Sequence, residues 1–395
     1  MGGVQFSTLY LVQHLNSTLW EPIVVCPKEG DLTEACRRSG IRVHIIDHPS
    51  LRSTSLSIGR NARLPNPAAW LWDGWATFIA ARKLTRFLRQ TTSDLVVTKG
   101  ISSHFCGGLA ARRLDIPCVW YVQDFISERF SKIYQRVFGQ LARCLPDHII
   151  VDGAPIAGQL PQALQRRVSI VHNAVDTDIF LPGLDDDSIR RELCIPSGAL
   201  VIGHVARMTP WKGQHYLLDA FSRIASEIPN TYLLLVGAPV FDSDTYERRL
   251  RQQTSELGLS NRVIFAGYRR DLPNVLAAMD VFAFPSIEKD TSPLAVVSAM
   301  AAGLPIIAFD IQGMREIVTS GEQGLLVPVR HVAAFAQTLA RMLGDDKLRH
   351  RLAVEARRSA ETEFGMKRYV CRVEEIFLKT VHGAQLSGTP GTVEI

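Results

Sequence analysis

The stretch DVFAFPSIEKDTSPLAVVSAMAAGLPIIAFD, residues 280–310, decides the fold. It reads as strand, loop, helix, strand. The run "DVFAFP" (280–285) has no polar alternation, the pattern of a strand covered on both faces. In the loop, Ser292 has the character of an N-cap and Pro293 that of a first helical residue. "LAVVSAMAAG" (294–303) is a helix of small apolar residues that Gly303 stops. "PIIAF" (305–309) is the next strand. Two apolar strands joined through a helix form a βαβ unit, so the sheet is parallel.

The same rhythm runs outward in both directions. Upstream come "PIVVC" (22–26), "IRVHIID" (41–47), "DLVVT" (94–98), "PCVWYV" (117–122), "DHIIV" (147–151) and "VSIVHN" (168–173). A second series holds "LVIGHVA" (200–206), "TYLLLVG" (231–237), "RVIFAG" (262–267) and "GLLVP" (324–328) beside the two strands above. Between the series, "HNAVDTDIFLPGLDDDS" (172–188) is rich in turn formers and acids. The expected architecture is α/β, with two Rossmann-like doubly wound domains, 1–180 and 181–384, and a flexible tail at 385–395. With 395 residues the chain exceeds the size at which one core stops growing, which agrees.

The start breaks the pattern. "GGVQFSTLYLVQHL" is a glycine turn feeding an amphipathic helix, and in a doubly wound fold such a turn follows a strand. None precedes it, so this reading expects the first strand of the N-terminal domain to be missing and the strands near 23–26 and 94–98 to lack one neighbour. The alternative is a leader helix with another segment completing the sheet.

Hydrophobic content of 46% against 21% charged describes an ordinary soluble globular chain. A net charge of +5 suits an anionic ligand or an anionic membrane surface and does not require nucleic acid. Seven scattered cysteines, with no CxxC pair and no Cys/His metal spacing, read as buried apolar residues in a reducing compartment. No signal-peptide pattern opens the chain, and its longest uncharged run is interrupted by Ser, Gly and Pro. These features point to the cytoplasm.

Chemistry concentrates at strand ends. Arg207 and Lys212, in "GHVARMTPWKGQ", follow a strand and precede a helix. Two cations at that edge suit a diphosphate, or they are solvated loop charges. The helix beginning near Ser292 and Pro293 offers free N–H groups, a second phosphate site. Glu288 and Asp290 bring carboxylates to the same loop. Together these describe a nucleotide-sugar pocket.

"ARMTPWKG", "VFAFPSIEKDTSPLAVVSAMAAGLPIIAFDIQGMREIV" and "GEQGLLVP" resemble the retaining glycosyltransferases of family 4, which have the GT-B fold of two Rossmann-like domains facing across a cleft. "GGVQFSTLYLVQHL" and "VHNAVDTDIF" carry a weaker resemblance in the first half, and the whole spans about residues 2–375. The resemblance implies that Arg207 and Lys212 bind the donor diphosphate. It implies that Gly2 and Gly3 approach the phosphates or the acceptor, and that Glu288, Ser292, Pro293 and Leu294 belong to the donor site. The family's two glutamates, eight residues apart, fall on Asp290, which would contact the transferred sugar, and on Ser298, at the ribose position. Asp290 is one methylene shorter than expected, and Glu288 is a substitute if the loop is remodelled. Ser298 offers a neutral hydrogen bond of about 0.5–1.5 kcal/mol where a carboxylate gives about 1.5–3 kcal/mol, unless it is simply a packing residue. Gln123, in "WYVQDF", stands at the catalytic position where many members have His; it can hydrogen-bond a sugar hydroxyl but cannot titrate, and His104 is a neighbouring imidazole or a surface residue.

The implied reaction is a metal-independent hexosyl transfer, with no cofactor, from a nucleotide sugar to a glycan or lipid-linked acceptor in cell-envelope polysaccharide biosynthesis. No Asp-x-Asp stands at a suitable strand end: "DDD" (185–187) is in the linker and "DSD" (242–244) opens a helix. Residues 66–90 place Trp70, Trp72, Trp75 and Phe78 before Arg82, Lys83, Arg86 and Arg89, a pattern of peripheral contact with an anionic membrane or of a core helix with a basic face. Two rivals stay open. One is a weak or inactive relative acting as a binding protein, which need not bind a donor. The other is a nucleotide-sugar epimerase, which needs no acceptor.

Overall fold

The computed structural model describes all residues except 1–2, 50–54, 59–61, 127–132, 185–186, 240–243, 289 and 388–395. Contacts divide the chain into two units, one formed by Met1–His172 with Tyr369–Ile395 and the other by Asn173–Arg368.

In the first unit, β1 (Ile23–Cys26) pairs in parallel with β2 (Arg42–Ile45). An antiparallel hairpin of β3 (Ser55–Ile58) and β4 (Ala62–Pro65) follows, which the sequence reading does not anticipate. A four-stranded parallel sheet then runs β5-β6-β7-β8, from Val96–Lys99, Cys118–Val122, His148–Val151 and Val168–Ile170. Among the described residues, no ladder joins β1 to β5. Val96, Cys118, Trp120, Val122, Ile149 and Val151 from these strands share one buried core.

The second unit is a six-stranded parallel sheet: β9 (Leu200–Val205), β10 (Thr231–Val236), β11 (Val263–Gly267), β12 (Val281–Phe284), β13 (Ile306–Phe309) and β14 (Gly324–Val327). Its spatial order is β11-β10-β9-β12-β13-β14. Alternate residues supply two cores. Val201, Leu234, Phe282 and Ile306 pack on one face, Ile202, Leu233, Val281 and Ile307 on the other. Burial on both faces is why these strands read as unbroken apolar runs.

The helix Met366–Ser387 corrects the expected boundaries. From Tyr369 onward it packs in the first unit, where Glu374 Oε1 accepts from the Asn16 amide at 2.7 Å and Phe377 meets the Trp20 ring edge-on at 5.5 Å. The first division falls at His172/Asn173. Cys144, Cys194 and Cys371 are exposed, against the expectation that all seven cysteines are buried. Among the described residues, no helix is long and apolar enough to cross a membrane.

Candidate functional site

The strand order of the second unit reverses between β9 and β12: the chain leaves β9 toward β10 on one side and β12 toward β13 on the other. Such a switch point opens a crevice outside the carboxyl ends of the two strands, where open α/β sheets bind ligands. The loops after β9 and β12 are those that hold Arg207, Lys212 and residues 285–293.

The two loops are bonded to each other. Ile287 N donates to the Trp211 carbonyl at 2.9 Å, and Ser286 Oγ lies 3.1 Å from the same oxygen. Lys212 Nζ bonds Asp290 Oδ1 at 2.5 Å, with both side chains 11% exposed. The other Asp290 oxygen accepts from Ser286 Oγ. The Lys212 ammonium also lies 5.1 Å from the Phe284 ring centre. The cation expected on a diphosphate and the acid expected on a sugar therefore contact one another directly. His204, buried in β9, donates through Nδ1 to the Ala283 carbonyl at 2.8 Å. Burial pulls it down to about 4 despite that bond, so it is neutral near pH 7. Arg207 is exposed, its guanidinium 5.9 Å from the Trp211 ring centre.

Glycine sets the close approach at two points. Gly213 has φ +74, and a Cβ there would lie 1.9 Å from the Pro285 carbonyl oxygen. A Cβ at Gly313 would lie 2.2 Å from the Asp290 carbonyl oxygen. Both loops rest against bare backbone.

The start of the next helix departs from expectation. It spans Leu294–Ala301, with Pro293 as the flanking residue, so Pro293 is not the first helical position. Ser292 is not the cap either. Its Oγ accepts from Asn173 N at 2.8 Å, and its carbonyl from Asn173 Nδ2 at 2.7 Å. Asn173 begins the second unit and is remote in sequence, which is why local pattern missed it. Gly303, at φ +73, ends the helix as expected. Ser298 is buried, one turn beyond Leu294 on the same helix face. Glu288 is exposed, whereas Asp290 is the acid that meets Lys212. Gly2, Asp185, Asp186, Asp242 and Ser243 lie outside the described residues.

A second polar group stands in the first unit. Lys99 ends β5, Gln123 follows β6 and Asp152 follows β7. Lys99 Nζ donates to Ser7 Oγ at 3.0 Å, and Ser7 Oγ donates to Gln123 Oε1 at 3.1 Å. Ser7 belongs to the helix Gly3–His14, which starts at Gly3 with open space around the glycine. Sequence reasoning named Gly3 and Gln123 and missed Lys99 and Ser7. The available signal was a lysine before glycine at the end of an apolar strand. His104 is neither a site imidazole nor a surface residue. It is buried, bonded to Thr98 Oγ1 at 2.7 Å and stacked on Trp120 at 5.0 Å. Burial drives it down to about 3, so it is a neutral core group.

Two family models match the chain, "Glycosyltransferase Family 4" over residues 1–179 and "Glycosyl transferases group 1" over 185–359. The UDP-Gal:alpha-D-GlcNAc-diphosphoundecaprenol alpha-1,3-galactosyltransferase of Escherichia coli is 25% identical over 309 residues, 75% of this chain and 78% of that enzyme. The D-inositol 3-phosphate glycosyltransferase of Corynebacterium efficiens is 35% identical over 196 residues, 48% of this chain and 46% of that enzyme, so the match spans about half its length. Among solved structures, Anabaena Alr3699/HepE in complex with UDP and glucose superposes with a TM-score of 0.80 at 24% identity, covering 95% of this chain and 96% of that one. That likeness carries the GT-B fold. With both halves matched in chain order, the chain belongs to the group 1 glycosyltransferases.

Proposed function

We propose that the chain transfers a hexosyl group from a nucleotide sugar to a glycan or lipid-linked acceptor, with retention of configuration and without a metal ion. The observation that carries this reading is the Lys212–Asp290 pair at the switch point of the second sheet. Arg207 and Lys212 would take the donor diphosphate, Asp290 and Glu288 the transferred sugar, and Ser298 the ribose edge. Ser292, Pro293 and Leu294 would present the backbone of the helix start. As the bond from the anomeric carbon to the diphosphate breaks, negative charge grows on the leaving group. Cations already positioned beside the breaking bond stabilise that charge. The Escherichia coli relative is named for a diphosphoundecaprenol acceptor and the Corynebacterium relative for an inositol phosphate, which supports a phosphate-bearing acceptor here. Gly3 and Gln123 in the first unit would serve that acceptor.

The test is a panel of nucleotide sugars, with nucleotide release followed with and without a lipid-linked saccharide. Release that depends on the acceptor, with the anomeric configuration kept, is expected. Conversion of the donor without acceptor would replace this reading with epimerisation, and no donor-induced thermal shift would leave a binding protein.

The helix Pro67–Thr91 supports a cytoplasmic enzyme resting on a membrane surface. Leu71, Trp75 and Phe78 are exposed, as are Arg82, Arg86 and Arg89, and their spacing puts all six along one stripe. The Arg82 guanidinium lies 5.8 Å from the Phe78 ring centre. An apolar end followed by cations fits an anionic lipid interface, where each cation near the surface contributes about 1 kcal/mol. Sedimentation should show binding to vesicles containing phosphatidylglycerol, and loss of most of it in Leu71→Asp/Trp75→Ala. Equal binding of that variant would remove this helix from the membrane contact.

A further inference from the structure

We infer that Lys99 is the anion-binding residue of the acceptor subsite in the first unit, taking a phosphate oxygen of the acceptor; this rests on the transferase reading above. The sheet order β5-β6-β7-β8 brings Lys99, Gln123, Asp152 and His172 to the carboxyl ends of consecutive strands, with Lys99 opposite Tyr121, two residues before Gln123. This is the carboxyl edge of a parallel sheet, the ligand edge of such folds. Lys99 is the one cation in that row. Its ammonium sits 4.4 Å from the centre of the buried Tyr121 ring and donates to Ser7 Oγ at 3.0 Å. An ammonium has three N–H donors. Among the described residues Ser7 is its one hydrogen-bond acceptor, and no ion pair satisfies its charge.

The charged and titratable groups facing it are Asp152 beyond β7 and Tyr121 in β6. Burial pushes the Lys99 amine down to about 7, and the Asp152 carboxylate offsets part of that fall. A neutral hydroxyl would fill one donor and leave the charge unbalanced. A phosphate oxygen fills both needs and holds the lysine protonated. The sign follows from that protonation. Below about pH 7 the ammonium is already present and anion binding is strongest; above it, binding must also take up a proton and weakens.

The chemistry gives a site-specific probe. Pyridoxal 5′-phosphate condenses with a neutral amine to an imine, releasing water, and borohydride reduces the imine to a stable secondary amine. Peptide mapping should find Lys99 labelled ahead of the exposed Lys28 and Lys83. Sulfate, whose charge is constant across the neutral range, should slow that labelling, and more at about pH 6.5 than at about pH 8.5. Decyl phosphate and glycerol 3-phosphate distinguish a lipid-borne from a soluble acceptor phosphate by which of them protects. The effective phosphate should also raise Tm in wild type and in Lys212→Met. Lys99→Met should weaken its binding by about 10- to 100-fold, the loss of one charge-assisted hydrogen bond. Absent labelling together with an unchanged phosphate response in Lys99→Met overturns the assignment. The thermal shift across the panel of nucleotide sugars reads the donor site separately. Its loss with Lys99 protection intact would overturn the transferase reading and leave Lys99 an anion site without an acceptor role.

Discussion

Lys212→Met should lower donor turnover by about 10²- to 10³-fold, the usual effect of removing one stabilising group from a developing anion. It should also destabilise the second unit, because Asp290 loses its ion-pair partner in a site where the pair is only 11% exposed. Removing one partner of a buried ion pair costs about 3–5 kcal/mol, and Asp290→Asn should cost a similar amount by stranding Lys212. The double variant Lys212→Met/Asp290→Leu separates the two effects. Replacing a buried pair with apolar groups of similar volume is often close to neutral, so its Tm should return most of the way toward wild type. Its turnover should not return. Wild-type turnover in Lys212→Met, measured with the donor found active in the panel, would remove the pair from the chemistry.

Gly213→Ala should cost about 2–5 kcal/mol and weaken donor binding together with stability. Two terms add. An alanine at φ +74 is in the left-handed region, which costs about 1–2 kcal/mol. Its Cβ would also lie 1.9 Å from the Pro285 carbonyl oxygen, so the loop after β9 must move away from the loop after β12, with a cost typical of overpacking, about 1–3 kcal/mol. Gly258→Ala is the control. Gly258 has φ +68, and a Cβ there would meet nothing within 4 Å, so it carries the backbone term alone. Denaturant unfolding of both variants gives the packing term by difference. Equal costs would mean that the two loops do not need their close contact.

The strands of the second unit were legible in the sequence for one reason: both faces of that sheet are covered, so "DVFAFP" and "PIIAF" carry no polar alternation to confuse with a helix. The end of the helix at Gly303 was legible because a left-handed residue has a strong local preference. What failed to show depended on partners distant in sequence. Ser292 looks like a cap until Asn173 takes its hydroxyl. Lys212 and Asp290 look like separate contacts until the switch point brings them to 2.5 Å. His104 looks like a loop imidazole until Trp120 and Thr98 enclose it. The same limit hid the allegiance of the last helix, since nothing in "YVCRVEEIFL" names Trp20 as its neighbour.

That helix imposes an order on synthesis. The ribosome delivers Met1–His172 before Asn173–Arg368, yet the unit those residues build also needs Tyr369 and the residues after it. The whole of Asn173–Arg368 emerges in between, which at about 5–20 residues per second takes roughly 10–40 s. During that interval Trp20 has no Phe377 against it and the Asn16 amide has no Glu374 carboxylate. The second unit, continuous in the chain, has all its residues available before the first does, so of these two units the one begun earlier is completed later.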